Sequence, residues 1–173
     1  MAGPTSIRRL VPADLAGYKE LRDAMLVAHP QAFSSDADEE RARTPETYLS
    51  RLGLDRPEGG QFTLGAWQCE RLVGAIGCER DLRVKVRHIA HIVGMMVHAD
   101  RRGHGVGRAL LAECIADARR AAGVEMLTLT VTAGNVPALR LYERAGFIRY
   151  GSLPRAICVA GAYHAKEQMV LAL

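Results

Sequence analysis

The element order legible in the 173-residue chain predicts an α/β protein: one mixed central sheet of about six or seven strands, flanked by about four helices. Three observations carry that expectation. Strand-like segments recur at 6–11, 62–68, 72–80, 88–97 and 126–131, and again near 147–153 and 167–172. Helix-like segments stand between them from 14, 44, 105 and 135 onward. Finally, RRGHGVGRALL, residues 101–111, leads from a strand into a helix, the connection that parallel strands require.

Taken in order, SIRRLV is a short first strand closed by Pro12. From Asp14, a candidate N-cap, to about Ala28, Leu15, Leu21, Met25 and Leu26 recur at near-helical spacing. HPQAFSSDADEERAR, residues 29–43, reads as a loop that turns acidic, and Thr44, Pro45 and Glu46 open a second helix. After the turn-rich DRPEGGQ, the segments FTLGAWQ and LVGAIGCER suggest a hairpin about Cys69, Glu70 and Arg71. HIAHIVGMMV is an apolar strand broken by Gly94, where a bulge or a close backbone approach is expected. The next helix runs from about Gly105 to Ala122 with Val106, Leu110, Cys114 and Ala118 on one stripe and Gly123 as its stop. MLTLTV is a strand. NVPALRLYERAGF is a short helix with Pro137 in its first turn, ended by Gly146. Two strands close the chain, and parallel pairing is expected across the strand–helix–strand unit centred on the glycine loop.

Residues 1–173 are expected to form a single domain large enough for a sizeable core. With 49% hydrophobic and 24% charged residues, the composition is that of a soluble globular protein. The net charge of +4 suits an anionic ligand, but scattered arginines give no pattern for nucleic acid. Cys69, Cys78, Cys114 and Cys158 form no CxxC pair, so they read as reduced thiols, most of them filling the core. Neither a secretory signal nor an apolar run near the ~18 residues of a membrane span is found, so a cytoplasmic, soluble protein with no membrane partner is expected.

The glycine loop suits a phosphate. A helix N-terminus offers unpaired amides and a partial positive charge, and glycines let the backbone approach and adopt φ > 0. A P-loop is excluded because no lysine occupies the required place, and a dinucleotide fingerprint is excluded because Arg108 or Leu110 stands at its last glycine. Taken alone, the loop leaves a pyrophosphate cradle and a ligand-free structural turn open.

The surrounding residues narrow this. Arg102-Gly103-His104-Gly105-Val106-Gly107 fits R/Q-x-x-G-x-G/A directly after a strand, and Asn135 through Phe147 follow a helix and a strand later. Together they resemble the GCN5-related N-acetyltransferase (GNAT) superfamily. The resemblance implies the GNAT fold, with its mixed sheet splayed at an acetyl-CoA cleft between strands 88–97 and 126–131. It also implies an acetyl-CoA-dependent transferase, with acetyl-CoA as co-substrate.

The resemblance places site residues as well. The backbone of Met95 and Val97 would bind the pantetheine arm as an added strand. Amides from Arg102, Gly103, His104, Gly105, Val106 and Gly107 would hold the pyrophosphate, with charge from Arg108. The Arg102 side chain would contact phosphate or cap the loop. Asn135 would bind the cofactor near its cysteamine end while opening its helix. Tyr142 is expected as general acid to the departing thiolate, the alternative being a packed core tyrosine. His91, six residues before Val97, is the candidate base for the acceptor ammonium, the alternative being a packed strand histidine. A backbone amide near Met95 to Val97 would assist the thioester carbonyl. No metal is expected, because His88 and His91 are three apart on a strand and point to opposite faces.

The acceptor side is less specified. Asp36, Asp38, Glu39 and Glu40 could attract a cationic amine, and Arg155 a carboxylate, although solvated loop charge explains each as well. Ala165 and Lys166 stand where many relatives carry an acidic pair, which leaves Tyr163 and His164 as weak pocket candidates. The expected function is acetyl transfer to a primary amine of a small molecule by direct attack in a ternary complex. The alternatives are a protein or peptide amine as acceptor, or a non-enzymatic acyl-CoA sensor. Homodimerisation is common in the superfamily.

Overall fold

The computed structural model, which describes residues 4–173, places all seven strands in one mixed sheet. The strands are β1 (Ser6–Arg9), β2 (Phe62–Gln68), β3 (Arg71–Arg80), β4 (Ile89–Val97), β5 (Met126–Thr132), β6 (Ile148–Val159) and β7 (Ala162–Ala172), in spatial order β1-β2-β3-β4-β5-β7-β6. The helices are α1 (Leu15–Ala28), α2 (Ala37–Arg41), α3 (Val106–Arg120) and α4 (Val136–Arg144). Only β4 and β5 run parallel, joined by the glycine loop and α3, as expected from the sequence.

That parallel pair is short. Ile89 lies opposite Met126, Ala90 opposite Leu127 and His91 opposite Thr128, and beyond these the strands part. The parting coincides with Gly94, whose φ is +58°, a conformation that L side chains resist. There β4 holds an extra residue against β3, with Gly77 opposite Val93 but Ala75 opposite Met96. Such a bulge bends its strand and increases its local twist.

Two apolar clusters cover the sheet. Val106, Leu110, Leu111, Cys114 and Ala118 of α3, with Leu139 and Tyr142 of α4, pack with Ala90, Ile92, Leu127, Leu129 and Val131. The second cluster joins Leu15, Tyr18, Leu21 and Met25 of α1 to Tyr48, Leu52, Leu72, Ala75 and Met96. Of the four cysteines, Cys78 and Cys114 fill the core, whereas Cys69 and Cys158 are exposed, so half rather than most of them are buried.

Several local expectations are corrected. The first strand ends at Arg9 rather than Val11. Asp14 does not cap α1 through its side chain. Its carboxylate accepts from the Val11 amide and pairs with Arg8, closing the turn before the helix. Residues 29–43 are not all loop: α2 forms there because the Asp36 carboxylate accepts from the amides of Asp38 and Glu39. The second expected helix is a 3-10 segment, Pro45–Leu52, ended at Gly53 with φ +65°. The closing strands are much longer than 147–153 and 167–172, because LPRAICVAGAYHAKEQ continues both into a hairpin about Ala160 and Gly161. A register shift between Leu153 and Ile157, with Arg155 at φ +53°, breaks the alternation that would have revealed it.

A buried ion pair ties this side of the sheet together. Arg22 Nε donates to Glu40 Oε2 at 2.9 Å, and the two side chains are only 4% and 3% exposed. The Tyr48 hydroxyl also donates to Glu40, and Arg43 approaches it at 3.3 Å. Burial alone would raise the Glu40 pKa, but the Tyr48 and Arg22 hydrogen bonds and the arginine charges hold it below the usual carboxylate range. Burial and Glu40 together push the Tyr48 phenol up to about 12.

Candidate active site

A cleft of about 1500 Å³ opens where β4 and β5 part. Its walls are Ile92–Val97 of β4, Thr130–Thr132 of β5, the start of α3, the inner face of α4 and residues of the segment 29–35. Beyond His91, the β4 edge that faces β5 has no strand partner, so its backbone can receive an extended ligand.

The glycine loop lies against one end. Gly103 and Gly105 have φ of +77° and +80°, and a Cβ on either would touch nothing within 4 Å, so backbone conformation rather than space demands glycine there. The first helical hydrogen bond runs from Ala109 N to Gly105 O. The amides of Val106, Gly107 and Arg108 precede it and have no intrahelical acceptor. Gly107 brings the helix close to β4, since a Cβ there would lie 3.2 Å from Met95 Cε. Gly105→Ala should lower stability by ~1 kcal/mol from backbone strain and weaken acetyl-CoA binding, and melting curves with and without the ligand measure both.

Met95, Val97, Arg102, Gly103, Gly105, Val106, Gly107, Arg108, Asn135 and Tyr142 all line the cleft, whereas His104 does not. The His104 imidazole turns back to the Arg102 carbonyl at 2.8 Å. Arg102 Nε donates to the Val97 carbonyl at 3.3 Å and its Nη2 meets His29 Nε2 at 2.6 Å, so this side chain stitches the loop to the end of α1. Asn135 caps α4 through Oδ1, which accepts from Ala138 N at 3.3 Å. Sequence reasoning missed Arg101, Arg119, Arg140 and Arg144, which also line the cleft. The spacing of Arg140 and Arg144 by one helical turn was the available signal for two of them.

Tyr142 sits at the floor, 6% exposed, with its ring edge-on to Phe147 at 5.9 Å. Its hydroxyl makes no hydrogen bond among the described residues. Burial, with Cys114 nearby, raises its pKa well above that of a free phenol, so the proton is retained across the neutral range. His91 lies elsewhere. It is exposed, does not line the cleft, and its Nδ1 meets Thr128 Oγ1 at 2.5 Å at the last pair before the strands part.

The acceptor end differs from the expected acidic funnel. Among the described residues no carboxylate lines the cleft. Asp36 caps α2, Asp38 pairs with Arg41 on the surface, and Glu40 is buried with Arg22. Glu39 lies outside the lining as well. Arg155 stacks on the Tyr163 ring, 3.8 Å from its centroid, away from the cleft. Arg22, Arg51, His164 and Lys166 line the cleft instead. Lys166 Nζ donates to Ser34 Oγ at 2.8 Å, and burial lowers its pKa.

A splayed parallel pair beside an amide-rich helix start is the architecture that the sequence led us to expect of an N-acetyltransferase. The model of the acetyltransferase (GNAT) family matches residues 18–147, and the chain belongs to this family, whose members take acetyl-CoA as co-substrate. The chain is 32% identical over 136 residues to a mycothiol acetyltransferase of Propionibacterium freudenreichii subsp. shermanii, covering 78% of this chain and 40% of that protein. It is 27% identical over 95 residues to N-alpha-acetyltransferase 30 of Schizosaccharomyces pombe, covering 55% and 63%. The chain thus spans about two-fifths of the first relative's length and under two-thirds of the second's. The solved structure of a GNAT-family acetyltransferase from Streptococcus pneumoniae superposes with a TM-score of 0.84 at 26% identity, covering 98% of this chain and all of that one. Family and fold are therefore those expected from the paired motifs. Among the described residues no helix is long and apolar enough to cross a membrane.

Proposed function

We propose that this chain moves the acetyl group of acetyl-CoA to a primary amine of a small molecule by direct attack in a ternary complex. The observation that carries the reading is Tyr142 on the floor of the cleft: the residue as a whole is buried, and its hydroxyl has no hydrogen-bond partner among the described residues. A hydroxyl with no protein partner on a cleft floor is free to donate to a ligand bound there.

The residues fit the co-substrate. Val106, Gly107 and Arg108 present free amides to a diphosphate, and Arg101, Arg119, Arg140 and Arg144 add positive charge around it. The backbone of Met95 and Val97 borders the parted edge and receives the pantetheine arm, with Asn135 opposite on the α4 side. Acetyl-CoA supplies the acetyl group in activated form, as a thioester. Amides near Met95 to Val97 would favour negative charge on the carbonyl oxygen. Tyr142 donates its hydrogen to the departing sulfur; its raised pKa keeps the phenol in the protonated, donating form.

The incoming amine must lose a proton first. His91 opens to the side of the sheet held by Thr128, outside the cleft, so it serves through water rather than by direct contact. His91→Ala should flatten the acidic limb of the rate profile, and an unchanged limb removes His91 from the mechanism. The segment 29–35 lines the cleft and is bonded to β7 through Ser34 and Lys166, a border that would suit a metabolite. The test is CoA-thiol release from acetyl-CoA against a panel of amino acids, polyamines, aminoglycosides and short peptides. Release dependent on small amines is the expected result. Release with peptides alone would assign a protein or peptide acceptor, and acetyl-CoA binding without any release would assign a sensor.

A further inference from the structure

The cationic lining of the acceptor end has a focus. A Cβ placed on Gly94 would lie 3.6 Å from Tyr18 Oη, 3.8 Å from Arg51 Nη1 and 4.0 Å from Arg22 Nη1. Three donor groups therefore converge on the space above the β4 bulge, at the point where the sheet parts. Arg22 is fixed there. It is 3% exposed, its Nε is held by Glu40 at 2.9 Å and its Nη2 by Ser35 Oγ at 2.8 Å. Its remaining nitrogen, Nη1, has no protein acceptor among the described residues, although Arg22 lines the cleft. Arg51 lies over the Tyr48 ring at 5.3 Å, and its Nη1 donates to Tyr18 Oη at 3.2 Å, beside the same space.

The charges around this point do not cancel. Glu40 is shared between Arg22 and Arg43, which leaves Arg51 without a carboxylate, and Lys166 contributes a further cation at the same end. A polyamine or an aminoglycoside would bring positive charge into a cation-lined cleft from which carboxylates are absent among the described residues. A carboxylate would instead accept charge-assisted hydrogen bonds from Arg22 Nη1 and Arg51 Nη1, one from each guanidinium. The guanidinium ends are already ordered by Glu40, Ser35 and Tyr18, so little freedom remains to be lost on binding.

We infer that the acceptor is a small amine carrying a carboxylate or an equivalent oxyanion close to its amino group, an amino acid or analogue, held by Arg22 and Arg51 above Gly94. This rests on the transferase reading above and deepens it. Gly94 immediately precedes Met95, whose backbone borders the donor arm, so an anion over the bulge leaves its neighbouring amine at the parted edge. The missing side chain at Gly94 then has two roles: it permits φ +58°, and it leaves room for the anion.

The test compares free amino acids with their α-carboxamides, which keep the amine and side chain but lose the charge. In the wild-type protein, kcat/KM should favour the free acids by about 10- to 100-fold, the range for a hydrogen bond to a charged group. Arg51→Gln should remove most of that preference by weakening the acids while leaving the carboxamides nearly unchanged. Retained acetyl-CoA stabilisation in the variant shows that it is folded. Amides or uncharged amines accepted equally well by the wild-type protein, or an Arg51→Gln loss shared by acids and amides, would overturn the inference. Melting of the CoA-saturated protein with each acid and each amide is read alongside. Stabilisation by the acids alone supports the anion site, and equal or absent shifts overturn it. Failure to transfer to any amine, with acetyl-CoA still bound, counts against the transferase reading, and the melting comparison still decides the anion site.

Discussion

Tyr142→Phe should lower kcat by about 10²- to 10⁴-fold, the range over which a positioned acid acts, while the acetyl-CoA concentration giving half-maximal stabilisation barely moves. The split follows from the geometry. The ring packs on Phe147 and within the α3–α4 cluster, and phenylalanine preserves those contacts. Only the hydroxyl is lost, and it has no protein partner among the described residues, so stability should hold or rise slightly. A tyrosine that merely packed would give a variant of full activity, and that result would sink the assignment. The raised pKa adds a second signature. Because the phenol keeps its proton well above pH 10, Tyr142 should contribute no alkaline decline to the wild-type rate below that pH.

Glu40→Gln should produce the largest loss of stability. Glu40 neutralises a guanidinium buried to the same degree and accepts the Tyr48 hydrogen bond. Removing one partner of a buried pair costs about 3–5 kcal/mol, because the other charge is left uncompensated. For a chain of this size that corresponds to a melting temperature lower by on the order of 10 °C. The sign of the pH dependence follows from the lowered folded-state pKa. The stabilisation is present above the unfolded carboxylate value near ~4.3 and is lost as pH falls through the lower folded value. Wild type should therefore lose stability on acidification through this window more steeply than Glu40→Gln, and parallel curves from scanning calorimetry would refute the role. Since Arg22 also faces Gly94, the variant should impair acceptor binding too.

Much of the donor half was legible because its requirements are local. Glycines at φ > 0, a strand feeding a helix and an Asn-to-Tyr spacing within one short helix can all be read along the chain. The bulge at Gly94 was legible for the same reason. The proposed acceptor half depends on contacts between residues distant in sequence. Arg22 meets Glu40 across 18 positions, Arg51 meets Tyr18 across 33 and Lys166 meets Ser34 across 132. Nothing in the acidic run from Asp36 to Glu40 distinguishes a surface attractor from one buried counter-ion, one helix cap and two solvated charges. The length of the β6–β7 hairpin was hidden because its shifted register erased the alternation by which strands are recognised.

The two apolar clusters lie on opposite faces of the sheet, one under α3 and α4 and the other under α1. The sheet is therefore a partition between two semi-independent evolutionary problems. Substitutions distant from each other on the two faces should combine with stability effects additive to about 0.5 kcal/mol. If the acceptor lies on the α1 side, α1, α2 and the 3-10 segment can be remodelled for a new amine with little effect on the other face, provided the Arg102–His29 tie to the glycine loop is kept. Directed evolution of this scaffold would do well to confine its diversity to the α1 side.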